Sequence, residues 1–505
     1  MMEIQRRQTD VLIVGAGAAG LFAALHLPPD DDILVVDKGR AGQGSSLWAQ
    51  GGVAAALGPD DSVDLHIQDT LRVAAGHADP AAVAVLCSEA PECVLELAEA
   101  GCAFDRNDDG TLHLAREGGQ SVSRSAHAAD GTGAAMMVTL REKASSRVSR
   151  IEGLCVKLAV SDGRCVGAWI LTEEGLVEVR ATATVLATGG VGGLFRSTTN
   201  PPGNTGDGLV LAWDAGAGVA DMEFIQFHPT ALNAGTGHQR LLLTEALRGA
   251  GAHVVDAEGR RFLFEHHSDG EMAPRDVVAR AVSSRKSWLD CRHLDTELLE
   301  AEFPTVVNGC RSFGLDPVTD LLPITPAAHY FIGGVQTDLD GRTSIPRLYA
   351  IGECSNTGAH GANRLAGNSL AEAMVFGRRA ARAISDQRSG RTKSLIRAPE
   401  LAAPRPSTQE EWDALRDLCS NALGLERNAA ALSETAERLE RWAIGPLSTE
   451  RSDLELRAGA IAARLIARAA LLRTESRGVH HRSDHPDPVL GWAGVRLRLG
   501  SGLKA

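Results

Sequence analysis

Two glycine-rich segments of this 505-residue chain carry residues whose types and spacing can hold a nucleotide and an acid. The first, Thr9-Asp-Val-Leu-Ile-Val-Gly-Ala-Gly-Ala-Ala-Gly20, is an apolar strand-like run entering GxGxxG. An apolar helix-like stretch follows, then a second strand-like run, Ile33-Leu-Val-Val-Asp37. In such a unit Gly15 permits the tight turn, Gly17 lets a pyrophosphate approach the backbone, and Gly20 lets helix pack on strand. Asp37, about twenty residues on, stands where a carboxylate accepts hydrogen bonds from a ribose. A lone GxGxxG is a weak signal, but strand, helix, second strand and terminal acid in order point to a bound adenine dinucleotide. The second segment, Gly352 to Leu370, follows the apolar run Arg347-Leu-Tyr-Ala-Ile351 and ends at Ser369-Leu-Ala-Glu372, the spacing of a helix-opening capping box. A glycine-rich loop leading into a helix lets backbone approach a flat cofactor and turns unpaired N–H groups toward it. Arg364, in mid-loop, has the forked guanidinium that grips a carboxylate at two points. By itself this segment reads equally well as a solvated loop with a stray arginine.

Positioning such residues takes more than one domain. A chain of 505 residues is too long for one compact core, so two or three domains are expected. Residues 1 to 222 alternate strand-like and helix-like segments, including Ala183-Thr-Val-Leu-Ala-Thr-Gly-Gly190. From 223 to 329 the texture changes, becoming richer in charge and in paired polar and aromatic residues. From 330 to 395 strand and turn signals return, with a helical run over Ala371–Ile384. The expected fold is therefore α/β: a Rossmann-like dinucleotide domain (1–222 and 330–395) interrupted by an α+β cap (223–329). A Pro-containing connector around Arg397–Ser407 leads to a helical bundle over 405–475 with leucines and alanines at helical spacing, then a tail over 476–505.

Composition excludes several function classes. Hydrophobic residues make up 44% and charged residues 23%, ordinary for a soluble globular protein, and the net charge of −13 offers no dominant basic surface to a nucleic acid. The start, Met1-Met-Glu-Ile-Gln-Arg-Arg-Gln, lacks a signal-peptide core, and no apolar run is long enough to cross a bilayer. The nine cysteines are scattered without CxxC, so they read as reduced thiols of a cytoplasmic protein with no metal site. His480, His481 and His485 look metal-like but read as solvated or structural.

Several separated motifs then match one family: Ser45-Ser-Leu-Trp-Ala-Gln-Gly-Gly52, Glu117-Gly-Gly-Gln-Ser121, His127-Ala-Ala-Asp130, Gln226-Phe-His-Pro-Thr230, Thr244-Glu-Ala-Leu-Arg248, Ala273-Pro-Arg-Asp276 and Ala328-His-Tyr330. Over nearly its whole length the chain resembles the succinate dehydrogenase and fumarate reductase flavoproteins, and within them is most similar to the L-aspartate oxidase branch. The resemblance implies FAD, held by Gly15, Ala16, Gly17, Ala18, Ala19 and Gly20, by Asp37 and Lys38, and by Ser45, Ser46, Leu47, Trp48, Ala49, Gln50, Gly51 and Gly52. It adds Val156, Asp207, Glu353 (toward the ribose), Asn368, Ser369 and Leu370. Membrane-bound members carry a histidine bonded covalently to FAD where this chain has Ser45; serine cannot form that link, so FAD is expected to be non-covalent. Glu117 stands where the succinate enzymes carry an apolar residue. A carboxylate there would pair with an ammonium and repel a plain dicarboxylate.

By the same resemblance His228, Thr244, Glu245, Arg275, His329 and Arg364 face the flavin, the cations and donors holding both substrate carboxylates. The implied reaction is oxidation of L-aspartate to iminoaspartate by hydride transfer to FAD, reoxidised by O2 to give hydrogen peroxide, or by fumarate. It opens NAD biosynthesis through quinolinate, with hand-over to quinolinate synthase. Relatives that reduce fumarate use the arginine matching Arg275 as proton donor; an always-protonated guanidinium suits positioning in the oxidative direction. The rival readings are a fumarate reductase or succinate dehydrogenase flavoprotein subunit, and an FAD-binding module without catalysis.

Overall fold

The strand-like runs at both ends of the chain converge on one sheet. The computed structural model describes residues 4–39, 44–387, 396–445 and 447–500; the stretch 388–395, expected to end the nucleotide domain, and 501–505 of the tail lie outside the described residues. Strand Ile4–Val14 is central, between Ile33–Asp37 and Gly175–Leu186, both parallel to it, with Ile13 opposite Val35 and Val185. Ser149–Glu152 extends the sheet beyond Ile33–Asp37. The far edge of Gly175–Leu186 is shared: its first half pairs antiparallel with Arg164–Thr172, its last residues parallel with Leu348–Ala350. Val11, Leu12 and Ile13 are buried in succession, as a strand covered on both faces requires. One face carries the helices Ala18–His26 and Asn368–Asp386, which cross closely enough that a Cβ on Gly377 would lie 3.1 Å from the Ala19 carbonyl oxygen.

Between the sheet's two halves the chain builds a four-stranded antiparallel sheet in the order Ile225–Leu232, Leu322–Phe331, Ser287–Asp290, His253–Val255. It has its own apolar core, including Leu243, Val254, Phe262 and Leu289. The strands that enter and leave this unit pair with each other, and their register slips at Gln226/Phe227 and between His228 and Ala231. Such bulges re-aim side chains next to functional sites.

Helices Gln409–Ala422, Ala429–Ala443 and Arg451–Leu472 follow, and their leucines share one continuous core with the large sheet: Leu415, Leu465 and Ile466 cluster with Leu12 and Leu209. The bundle is thus an outer layer of the nucleotide domain. Among the described residues no helix is long and apolar enough to cross a membrane.

One local expectation fails. Ser369 and Glu372 form no capping box: the helix starts at Asn368 behind Gly367 (φ +81°), with no side-chain cap. Glu372 is drawn inward instead, accepting from Tyr330 Oη and Thr357 Oγ1, each at 2.6 Å. The box pattern is present at Thr408 and Glu411, where both reciprocal bonds form.

Candidate active site

The GxGxxG turn, the Ser45–Trp48 turn and the Gly352–Leu370 loop meet along a cleft of about 800 Å³. Gly15 has φ +113°, and a Cβ there would lie 2.2 Å from the Ala187 carbonyl oxygen, so no side chain fits. A Cβ on Gly20 would stand 2.2 Å from the Gly15 carbonyl oxygen, which is the close strand–helix contact expected of that position. Helix Ala18–His26 begins at Gly17 without a side-chain cap, and Ser46 Oγ accepts the Ala18 amide at 3.1 Å. Two uncapped helix starts, at Gly17 and Gly367, therefore border one elongated cleft. Their positive dipole ends match an anionic dinucleotide and a flat ring that gains electrons. Asp37 lies in the same wall as an acceptor, its carboxyl pushed up by burial. The residues present fit FAD.

Of the residues expected against FAD, Ala16, Ala19, Leu47, Trp48, Ala49, Glu353, Ser369 and Leu370 line this cleft. Ser45 lines it too, its Oγ accepting from Asn204 at 2.6 Å and Asn200 at 3.2 Å. Lys38 and Asp207 are at the wall but pair with each other, and Lys38 also reaches Glu455 at 3.1 Å, bracing the cleft against the bundle. The Val156 side chain packs with Trp169 and Leu454, while Leu154 and Cys155 line the cleft. Asn368 is spent structurally, receiving His66 Nε2 at 2.8 Å and donating to Thr70 Oγ1 at 3.0 Å. Gln50, Gly51 and Gly52 border a second, smaller cavity.

Where the Ile225–Leu232 and Leu322–Phe331 strands meet the Gly352–Leu370 loop, charged side chains converge. Arg275 donates to Glu245 at 2.7 Å and to Gln226 at 3.1 Å; Arg248 grips the other Glu245 oxygen at 2.6 Å. Against the cost of burial these two guanidiniums hold Glu245 down to about 2. Gln226 in turn donates at 2.8 Å to Asn363 and to the Arg364 carbonyl, tying both arginines to one amide. The Arg364 guanidinium lies 4.5 Å from the Tyr330 ring centre, and its Nε is buried without a partner. Burial, then Arg275, lowers it to about 10, still charged at neutral pH. The rings of His228 and His329 are 5.1 Å apart, and burial followed by Arg275 holds both far below the usual histidine range. They are therefore neutral donors. His228 Nδ1 accepts the Thr230 amide at 3.3 Å, which assigns its proton to Nε2. Thr244 Oγ1 accepts the Ala246 amide as a helix cap, leaving its own proton to donate.

Glu117 is buried against this cluster. Its Oε1 accepts the Gly52 amide at 2.8 Å, and a Cβ on Gly118 would stand 2.2 Å from Glu245, so Glu245 abuts the residue that follows Glu117. Burial raises the Glu117 carboxyl; Arg275 opposes this and Glu245 reinforces it. Three guanidiniums thus face two carboxylates in a water-poor site. Gln226, Arg248 and Tyr330 were not singled out as site residues from the sequence, although each lies in a quoted motif. The signal for Gln226 was strand alternation, which puts it on the face of His228.

The comparisons agree with this geometry. A family model described as an FAD binding domain matches residues 10–370, and one described as a fumarate reductase flavoprotein C-terminal region matches 447–496. The chain is 40% identical to an L-aspartate oxidase from Nostoc sp., covering 96% of this chain and 92% of that one. It is 44% identical to an L-aspartate oxidase from Caulobacter vibrioides, covering 95% and 94%. Among solved structures, an E. coli quinol fumarate reductase flavoprotein superposes with a TM-score of 0.88 at 30% identity, covering 96% of this chain and 93% of that one. With its dinucleotide cleft, its cap and these relatives, the chain belongs to the L-aspartate oxidase family of FAD-dependent, fumarate-reductase-like flavoproteins.

Proposed function

We propose that this protein oxidises L-aspartate to iminoaspartate, the first step of NAD biosynthesis through quinolinate. The observation that carries this reading is the charge pattern: buried guanidiniums of Arg275 and Arg364 with unspent N–H groups, and beside them the carboxylate of Glu117. Anion sites with one cation site match an amino dicarboxylic acid, and a plain dicarboxylate would leave Glu117 facing another negative charge. At about 4 Å and an effective dielectric of ~20, one such contact is worth about 4 kcal/mol in either sign.

The residues act by holding and orienting. Arg364 and Arg275 take the carboxylates, with the Thr244 hydroxyl and His228 Nε2–H as further donors, and Glu117 holds the α-nitrogen. Fixed at these points, Cα presents its hydrogen in one direction, which is orientation catalysis. FAD, when bound, supplies the acceptor for the hydride leaving Cα. Arg275, clamped by Glu245 and Gln226, works here as an electrostatic and positioning group. Molecular oxygen, yielding hydrogen peroxide, or fumarate would take the electrons onward. The product hydrolyses readily, which favours prompt transfer to quinolinate synthase, and the nine free cysteines suit a reducing, cytoplasmic setting.

The rival reading as a succinate dehydrogenase or fumarate reductase subunit is disfavoured by Ser45, which has no nitrogen to bond the flavin, and by Glu117. The purified protein should lose its yellow colour to the supernatant on acid precipitation and release peroxide with L-aspartate in air. Flavin retained in the pellet, or succinate oxidised briskly while aspartate is not, would overturn the proposal.

A further inference from the structure

A second cavity, of about 190 Å³, opens behind the Gln50–Gly52 turn, walled among others by Gln50, Glu117, Thr244, His113 and His127. Glu117 therefore faces the paired arginines on one side and this cavity on the other. Gln50 is 6% exposed and its Oε1 has no partner, an acceptor left open in the wall. The lining is mixed, but with Gln50, Glu117, Thr244 and the two histidines in its wall a cavity of this size has room and partners for several waters at ~30 Å³ each. Beyond it runs a hydrogen-bonded line: His113 Nδ1 to His127 Nε2 at 2.8 Å, then His127 Nδ1 to Asp105 at 3.1 Å. His127 Nδ1 also lies 3.3 Å from the Ala129 carbonyl, so that nitrogen carries the proton, and Nε2 accepts from His113. Asp105 has 43% of its side chain in solvent.

Hydride departure from Cα needs the nitrogen lone pair, so a bound α-ammonium must first give up a proton. Resting on the reading of the substrate as an amino dicarboxylate, we propose that this proton leaves through Glu117 into the second cavity and out along His113, His127 and Asp105. The ammonium N–H bond breaks and an O–H bond forms on Glu117. That proton passes through cavity water to His113 Nε2, the His113 Nδ1 proton moves to His127 Nε2, and the His127 Nδ1 proton goes to Asp105 and solvent. Glu117 returns to carboxylate and no electrons move. The titratable and charged groups around Glu117 are Arg275, Glu245 and Arg364, and around His127 they are Asp105, His113 and Glu302; Arg116 and Asp130 also line the cavity. Burial raises Glu117, which suits it to receive a proton, and lowers His127, which suits it to pass one on.

The test is anaerobic single-turnover bleaching of bound FAD by L-aspartate, from about pH 6 to 9, in wild type, His113→Gln, His127→Gln and Asp105→Asn. The expected result is retained FAD, unchanged binding of succinate, and bleaching slowed at least about tenfold near pH 7 in the histidine variants. The rate should recover as pH rises or when imidazole is added, neither of which would repair a merely structural defect. Wild-type rates at every pH in the histidine variants would overturn the channel alone. If those variants lose FAD, a wild-type rate and solvent isotope effect in Asp105→Asn overturns it. A wild type that does not bleach with aspartate refutes the substrate reading, and the channel with it.

Discussion

In the proposed function Arg275, Arg364 and Glu117 divide the work of recognition, and substitution should separate their contributions. Neither Arg275 nor Arg364 bonds a residue of the GxGxxG turn: Arg275 is tied to Glu245 and Gln226, and Arg364 reaches Leu365 and Ser369 at 3.4 Å. Arg275→Leu and Arg364→Leu should therefore keep FAD, read by absorbance after gel filtration, while peroxide release falls by more than about a hundredfold. Arg364→Lys should not rescue it, because a point charge replaces a fork stacked on Tyr330. Glu117→Gln should act differently: it keeps an acceptor for the Gly52 amide and removes the charge. KM for L-aspartate should rise at least about tenfold while inhibition by succinate stays the same or tightens. Equal weakening of both ligands would show that Glu117 does not read the ammonium. At this scale the glycines of the fingerprint were legible because each has a steric reason. The partners of Gln226 were not, because Arg275 and Arg364 reach it from 49 and 138 positions away.

At the scale of elements, the loop from Gly352 to the helix start at Asn368 joins both halves of the site, and its anchor is what the sequence concealed. Ser369 and Glu372 have capping spacing, yet Glu372 is more strongly satisfied by Tyr330 and Thr357 below the helix. The helix start is pinned instead by Asn368 between His66 and Thr70, which lie 302 and 298 positions earlier, so no local pattern connects them. Burial lowers His66 to about 4, so it is neutral at the working pH and donates Nε2–H to Asn368. In the unfolded chain the same histidine protonates near its ordinary value of about 6.5. The unfolded state thus binds more protons between those values; the contribution is intact above about pH 6.5 and is lost as pH falls toward 4. Fully developed, that difference is about 3 kcal/mol. Thermal melts of the apoprotein should drop over this window, and His66→Gln, which retains a donor, should flatten that drop. Parallel wild-type and variant curves would remove His66 from the anchor.

At the scale of the molecule, the dinucleotide domain, the interrupting cap and the helical tail were legible from changes of periodicity and texture; that the bundle shares the large sheet's core was not, since burial against a distant surface leaves no spacing to read. The same holds for the charged residues that follow the last long helix. The stretch after the Arg451–Leu472 helix, whose histidines read as solvated or structural, returns to the entrance of the cap: His480 Nδ1 receives Arg427 at 2.9 Å, and Arg427 also donates at 2.6 Å to the Glu223 carbonyl. Arg473, fully buried, pairs with the Glu223 carboxylate and at 3.0 Å with Glu475. This pairing makes an asymmetric prediction. Glu223→Gln leaves Arg473 its second carboxylate and the face of Phe224 at 4.9 Å, so the loss should be modest. Arg473→Met leaves Glu223 buried with no guanidinium on its carboxylate, a case worth about 3–5 kcal/mol. Burial already raises the Glu223 carboxyl, and removing Arg473 raises it further. The folded state then holds a proton that the unfolded state releases, so stability falls as pH rises through the folded value. The melting-temperature deficit of Arg473→Met should therefore widen as pH rises above the unfolded glutamate's value of about 4.3, that of Glu223→Gln should stay flat, and the double variant should recover part of the loss. Equal, pH-independent deficits in the two single variants would mean that the strap at the cap entrance is held by packing and not by this pair.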